Sequence, residues 1–490
     1  MKQLKLLPKY LFGLIILFSL CFITSCDSGE EKDDTIIEKE EEVIEEEVVL
    51  NYDDDVLAIS TIDELRKAVQ LSGKTINMKA GEYVVSGTMP EDPKTIFHFS
   101  GSNNVFNFEG VTIIIPTSVL RNMGPGNTHE FATYRIDGSN LVFNGGNFEN
   151  TGEERPYKSL AEFEVHGNDI SFLGCNFIIK GSAPYGYGDL YGKGSDHYVG
   201  LYKHSAMSIL GDDVLVDGCD FKVFSFGHGI HIHGSQNTII RNVTMEGARR
   251  LTDEIYEETS GPAYDYGFKI YFPELERGLP IRKGEMISLT EDGIRAYLDG
   301  DDVNGVNRRT GDITVENCFV DKMRGGITLS IGSGASNVSN NTVVNCEHAY
   351  SFPSNAVVKN CKGNTAFGPL LMLPYDHKKN SDIELELIDS EVTMGNHPFA
   401  QITGSGHQVK FTYKGTKPNE NLRPIWIGVA EDWGDNDERT EEDLKNTYSA
   451  TSIELNNETN NPVLLGTYSK TSIITSVGEV VDEGESNIIN

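Results

Sequence analysis

Apolar and polar residues alternate in short bursts along this chain, and the bursts recur. Nine segments superimpose: 104-NVFNFEGV, 140-NLVFNGGNF, 169-DISFLGCNF, 213-DVLVDGCDF, 237-NTIIRNVTM, 312-DITVENCFV, 337-NVSNNTVVN, 355-NAVVKNCKG and 382-DIELELIDS. Each opens on Asn or Asp, alternates for three to five residues, and in most cases reaches a Gly, Asn or Cys. Alternation is the period of a half-buried strand, and the flanking Asn, Asp and Gly suit turns with left-handed backbone. The short steps between copies are 18, 24, 25, 27 and 29 residues, the length of one solenoid coil plus a variable loop. The pattern predicts an all-β fold, a single-stranded right-handed parallel β-helix running over 56–490 without a domain boundary. Its first coil should be capped by a helix at 60-STIDELRKAV-69, where Thr61 and Glu64 have capping-box spacing. The strand pair in 74-KTINMKAGEYVVSG-87 follows.

Cys175, Cys219, Cys318 and Cys361 share one repeat position, which predicts a buried ladder of small apolar side chains. With Cys346 they are five, an odd number that argues against a complete disulfide framework.

Two steps are too long for plain coils. They predict ordered insertions at 178–205 and 246–310, both rich in Tyr and Gly. Between them lies 227-GHGIHIHGSQN-237. Aligning the strands that lead into the repeats puts Met207, Ile209, Ile230, Ile232, Ile327, Leu329 and Ile331 inward. Ser208, His231, His233, Thr328 and Ser330 then point outward. Just upstream of each strand stand His204, His228, Arg324 and His348, expected as one column on one face.

The helix, the strand pair and the N/D-x-I-x-V-x-x-C-x-F coils together resemble the parallel β-helix carbohydrate enzymes, including polysaccharide lyases active on alginate and chondroitin. The resemblance spans most of residues 58–400 and implies a lyase. It would act on uronic-acid-containing polysaccharide or oligosaccharide from algae or plants, of the ulvan, alginate or pectin kind. β-Elimination would give a 4,5-unsaturated uronate, with the next sugar leaving (a polysaccharide lyase) or water leaving from a non-reducing end (an oligosaccharide dehydratase). Such chemistry needs a cation on the carboxylate, a base for the C5 proton and an acid for the C4 oxygen. His228 or His204 is expected as base, Arg324 or Lys203 as neutraliser, and Tyr202 or another loop tyrosine as acid. His231, His233, Lys269, Tyr266 and His348 are expected to bind substrate. Gly227-His228-Gly229 and Asp212-Asp213 also resemble parts of the polygalacturonase signature, so hydrolysis is the competing chemistry. The Asn-x-Asp and Arg-x-Lys parts of that signature have no counterpart. A non-catalytic glycan-binding surface lipoprotein is the third reading. No metal ligand set is evident; Ca²⁺ on acidic loops such as 299-DGDD-302 stays open.

Composition adds location and excludes a partner. The formal net charge is −33, which disfavours nucleic acid. Lys2, Lys5 and Lys9 precede the apolar run 10-YLFGLIILFSLCFI-23, an export signal by its pattern. The ending 23-ITSC-26 resembles the lipobox of bacterial lipoproteins, which implies cleavage and lipidation at Cys26 and a membrane held through the lipid. Residues 27–55 hold fifteen acidic residues against two lysines and read as a solvated tether. An acidic run after the lipidated cysteine resembles the surface-export signal of Bacteroidota lipoproteins. The expectation is an outer-membrane lipoprotein, facing the cell surface or periplasm, that acts as a monomer on an anionic saccharide.

Overall fold

The computed structural model describes residues 51–86, 94–123, 131–155, 159–193, 196–271, 278–301, 304–415, 422–430 and 440–490. The signal segment, Cys26, the tether up to residue 50, and Asp302 lie outside them.

The described chain is all-β, a right-handed parallel β-helix. One sheet of 23 strands forms two rows that merge at Val357–Gly363, and a separate sheet of 13 strands forms the remaining face. Register passes from rung to rung, as where Ile170 pairs with Val214 and Leu215 with Ile239, and it shifts between Val358 and Cys361, where the two rows merge. Five of the nine Asn and Asp openers make turns, whereas Asn104, Asn337 and Asp382 lie within strands. Asn140, Asp169, Asp213, Asn237 and Asn355 all adopt left-handed backbone, with φ between 56° and 60°. Asn side chains also bond to the rung before them, Asn140 Nδ2 to Asn103 Oδ1 at 2.9 Å and Asn144 Nδ2 to Asn107 Oδ1 at 2.8 Å.

Inside the coil, like side chains stack. Phe106, Phe143 and Phe172 form one ladder with centroids 5.0 and 4.8 Å apart, and Phe148, Phe177 and Phe221 another at 5.5 and 4.4 Å. The cysteine ladder is interrupted. Register places Val243 between Cys219 and Cys318, and Asn341 between Cys318 and Cys361. Asn341 is accommodated because its Oδ1 accepts the Cys318 N–H at 2.8 Å and its Nδ2 donates to Val315 O at 2.9 Å. All five cysteines are buried free thiols.

Helix Ile62–Ala68 covers the first rung with Leu65 and Ala68. Its cap is only half of the expected box. Thr61 Oγ1 accepts from Glu64 N at 3.1 Å, but Glu64 reaches past Thr61 to the N–H of Ser60 at 2.7 Å.

The long steps hold short antiparallel hairpins, among them Arg249–Leu251 with Met286–Ser288 and Asp299–Asp301 with Asn307–Arg309. Both insertions bury a shared small core of Tyr187, Leu190, Tyr191, Ile255, Ala263, Ile281, Ile287 and Leu289. The second insertion differs from expectation in one respect. It contains a rung of the 13-stranded sheet, Ile294–Ala296, set between Ile230–Ile232 and Gly325–Thr328.

Candidate active site

The extra rung rearranges the site. Three consecutive rungs read 229-GIHIH-233, 293-GIRAY-297 and 326-GITLS-330 in register, since Ile230 pairs with Ile294 and Ile294 with Ile327. Ile230, Ile232, Ile294, Ala296, Ile327 and Leu329 are buried in the coil, as alternation requires. Ile331 is only half-buried, because the strand has already ended at Thr328. The outward row runs Ser208, His231, Arg295, Thr328, and the row two residues on carries His233 and Tyr297.

The expected single column splits into two. Backbone bonds place His204, Gly227, Glu291, Arg324 and Glu347 in one file, from Glu291 N to Gly227 O, Arg324 N to Glu291 O and His348 N to Arg324 O. Ser205, His228, Asp292, Gly325 and His348 fall one residue along. His228 and His348 therefore share a file that His204 and Arg324 do not.

His228 is the centre, but its bonding does not suit a base. The backbone N–H of Asp292 donates to His228 Nδ1 at 3.2 Å. An N–H can only donate, so the neutral ring keeps its proton on Nε2, which faces Tyr297 Oη at 2.8 Å and Glu291 Oε2 at 3.4 Å. Burial pushes the imidazole down to about 4, against the pull of Glu291 and Asp292. His228 is thus a neutral donor to Tyr297. Burial, reinforced by Glu291, lifts the Tyr297 phenol to about 12, so it keeps its proton at neutral pH. The Tyr297 ring stacks on His233 with centroids 4.3 Å apart, and His233 Nε2 lies 2.8 Å from His231 Nδ1. The two imidazoles share one proton across that bond.

Beneath this group the charges are layered. Burial opposes ionisation of Glu291, yet His228, Lys203 and Arg324 hold its carboxyl at about 2. Asp292, likewise buried, is held far below the carboxylate range by Arg324 and Arg295. Lys203 Nζ meets Glu291 Oε1 at 2.6 Å, Arg295 Nη1 meets Asp292 Oδ2 at 3.0 Å, and Arg324 Nε meets Asp292 Oδ1 at 3.3 Å. The carboxylate side chains are 3% and 0% exposed, whereas Lys203, Arg324 and Arg295 are 16%, 16% and 17% exposed. The cations are therefore the more exposed layer, and a ligand reaching this face meets them before the carboxylates. Arg324 also reaches the first insertion, with Nη1 3.7 Å from Asp189 Oδ2. His348 Nε2 lies 3.2 Å from Thr328 Oγ1. Room for this side of the site comes from Gly325, where an added Cβ would sit 2.5 Å from His348 Nε2 and 2.6 Å from Asp292 Oδ1.

Other expected residues lie elsewhere. His204 is fully buried; its Nδ1 donates to Lys180 O at 2.6 Å and its Nε2 lies 3.1 Å from the equally buried Glu162. Sealed in this way it cannot meet a substrate. Tyr202 bridges to Ala183 and has Arg155 5.7 Å from its ring centroid. Tyr266 belongs to a tyrosine cluster of the insertions with Tyr191, Tyr198 and Tyr271, and Lys269 is exposed on a hairpin there. Among the described residues no hydrogen bond or ion pair joins Tyr202, Tyr266 or Lys269 to the centre. Nor does any group of three or more His, Cys, Asp and Glu among them converge as a metal site. Glu291, Asp292, Arg295, Tyr297 and Asp189 were not anticipated; the Gly-Ile pair at 293–294, repeating 229–230, is the signal that finds four of them.

Residues 195–362 match the family described as right handed beta helix region. A search of curated proteins returns no match. Among solved structures the chain is similar to a mannuronic-acid-specific polysaccharide family 6 lyase from human gut microbiota, at 10% identity and a TM-score of 0.41, over 89% of this chain and 83% of that one. It is similar to a PL6 alginate lyase complexed with a trisaccharide, at 10% identity and TM-score 0.41, over 89% and 88%. It is also similar to a mutant tailspike protein of E. coli bacteriophage HK620 complexed with a pentasaccharide, at 10% identity and TM-score 0.42; there the match spans 86% of this chain but 60% of the tailspike.

Proposed function

We propose that the protein is a carbohydrate-active lyase that cleaves a uronate-containing saccharide by β-elimination, working as a monomeric outer-membrane lipoprotein anchored through Cys26. The observation that carries this reading is Tyr297, a phenol that keeps its proton and has its oxygen held by the fixed Nε2–H of His228.

The uronate carboxylate would sit on Arg295, Arg324 and Lys203, which raises the acidity of C5. The His231–His233 pair takes the C5 proton at Nδ1 of His233, since Nε2 of His231 is buried, with the proton between the rings held on Nε2 of His233 and donated to His231. The C5–H electrons become the C4=C5 double bond and the C4–O bond breaks. Tyr297 gives its proton to the departing oxygen, and the phenolate formed is met by the His228 Nε2–H. The leaving group is a sugar hydroxyl in a polysaccharide lyase and water in a dehydratase. Hydrolysis by paired carboxylates fits less well, since Glu291, ionised down to about 2 and buried, has no proton to supply.

The test is a panel of uronate saccharides, followed by ultraviolet absorbance of the unsaturated product. Wild type should generate it, and Tyr297→Phe, which keeps the ring and its stacking on His233, should lose about 10²-fold or more in kcat. New reducing ends without that absorbance would assign hydrolysis instead. Binding without any turnover would leave a glycan-binding protein.

A further inference from the structure

The outward rows of the 13-stranded sheet continue past the centre towards the N-terminal rungs. Register carries His231 to Ser208, Ser208 to Glu164, Glu164 to Arg135 and Arg135 to His98. Arg135 therefore stands three rungs from His231, roughly 14 Å at ~4.8 Å per rung. A second polar station is built there. Arg135 Nε donates to both carboxylate oxygens of Asp137, at 3.1 and 3.0 Å, and His98 Nε2 lies 2.7 Å from Asp137 Oδ2. Below them, His166 Nε2 lies 3.1 Å from Glu164 Oε1, off the line a hydrogen bond needs. Neither nitrogen of His166 nor Oε2 of Glu164 makes a hydrogen bond among the described residues.

The two stations differ in what they show to solvent. At the centre the carboxylates are covered and the cations exposed. At the second station Asp137 is 22% exposed beside Arg135 at 30%, with His98 more open than either. Donor and acceptor are presented together, and Arg135, whose Nη1 also lies 3.9 Å from Glu164 Oε2, is outnumbered by the carboxylates of Asp137 and Glu164. Such a surface matches neighbouring sugar hydroxyls, each of which both donates and accepts. It disfavours a carboxylate, which would face Asp137 and Glu164.

We infer that Arg135, Asp137, Glu164 and His166 form a saccharide subsite for an uncharged sugar, so that the substrate joins a uronate to neutral sugar within one chain. The inference rests on the proposed placement of the uronate at Arg295, Arg324 and Lys203. Between the stations the floor is Ser208, a small side chain set between Glu164 and His231.

Calorimetric binding to the Tyr297→Phe protein, in which turnover is slowed about 10²-fold or more, tests it. The ligands are three tetrasaccharides: all uronate, uronate alternating with a neutral hexose, and all neutral. The mixed chain should bind about tenfold more tightly than the all-uronate chain. Arg135→Ala and Asp137→Asn, made in the same background, should each remove most of that preference. Equal binding of the mixed and all-uronate chains, or a preference that both substitutions leave intact, would overturn the subsite. Binding of the all-neutral chain as tightly as the mixed one, still lost in Arg135→Ala, would keep the subsite and overturn the uronate at the centre. Binding of none of the three would overturn both.

Discussion

An added Cβ at Gly326 would lie 2.2 Å from Val343 Cγ1 and 2.6 Å from Ala349 O, neither of which has room to retreat. Gly326→Ala should therefore cost about 1–3 kcal/mol by overpacking, read as a lower thermal midpoint, and should loosen the rung that carries Arg324. If the midpoint does not move, the rungs are less tightly packed than described. The same file explains what sequence reading found and missed. Alternation sorted Ile230 and Ile232 from His231 and His233 correctly, because side-chain direction in a strand is fixed by parity alone. It did not fix the residues just upstream. His204, His228, Arg324 and His348 lie where the chain enters the strand, and there a one-residue offset moves a side chain into a neighbouring file. The roles also needed bonding that spacing does not encode: nothing in 227-GHGIHIHGSQN-237 says that Asp292 N–H will occupy His228 Nδ1.

The insertions behave as an element of their own. Their small core is tied by Tyr187 Oη to Glu258 at 2.6 Å and by Arg250 to the same carboxylate. Ile255 is fully buried in it, so Ile255→Ala should cost that core about 2–5 kcal/mol. Limited proteolysis should then cut within 246–290 first, while far-ultraviolet circular dichroism of the coil is retained. Uniform cleavage along the chain would mean that the insertions have no separate stability. The existence of both insertions was legible from the step lengths. The rung hidden in the second was not, because Ile294–Ala296 is only three residues long and no Asn- or Asp-opened repeat follows it until Asp312. The cap of Ile62–Ala68 shows the same limit on a smaller scale: the spacing gave the helix, but Glu64 chose the N–H of Ser60.

At the scale of the molecule, acid acts through buried imidazoles. His228, His397 and His407 are each pushed down to about 4, chiefly by burial. Between about 4 and the ordinary ~6.5 the unfolded chain binds protons that the folded one refuses, so stability falls as pH drops through that window, by up to about 3 kcal/mol for each group. Glu291, held at about 2, adds a loss that begins below its ordinary range near 4.5. The thermal midpoint should decline from pH 7 to pH 4, and His407→Gln, far along the coil from His228, should flatten part of the slope. A midpoint independent of pH over that interval would contradict the burial of these rings. The fold itself was the most legible feature, since one local rule repeated many times leaves few alternatives, whereas the interrupted ladder at Val243 and Asn341 obeys packing and hydrogen bonding that the rule does not contain.

The rung at Ile294–Ala296 begins more than sixty residues after its neighbour at Ile230–Ile232, yet it docks in perfect step. Error in the length of an excursion is thus forgotten at each return to the sheet. A chain built this way can be spliced at any corner, and one turn can be lengthened, emptied or rewritten without retuning the next. For an engineer, Glu291 to Tyr297 is a removable turn, but its acid and its buried carboxylates work only beside the turns that supply His228, Lys203 and Arg324.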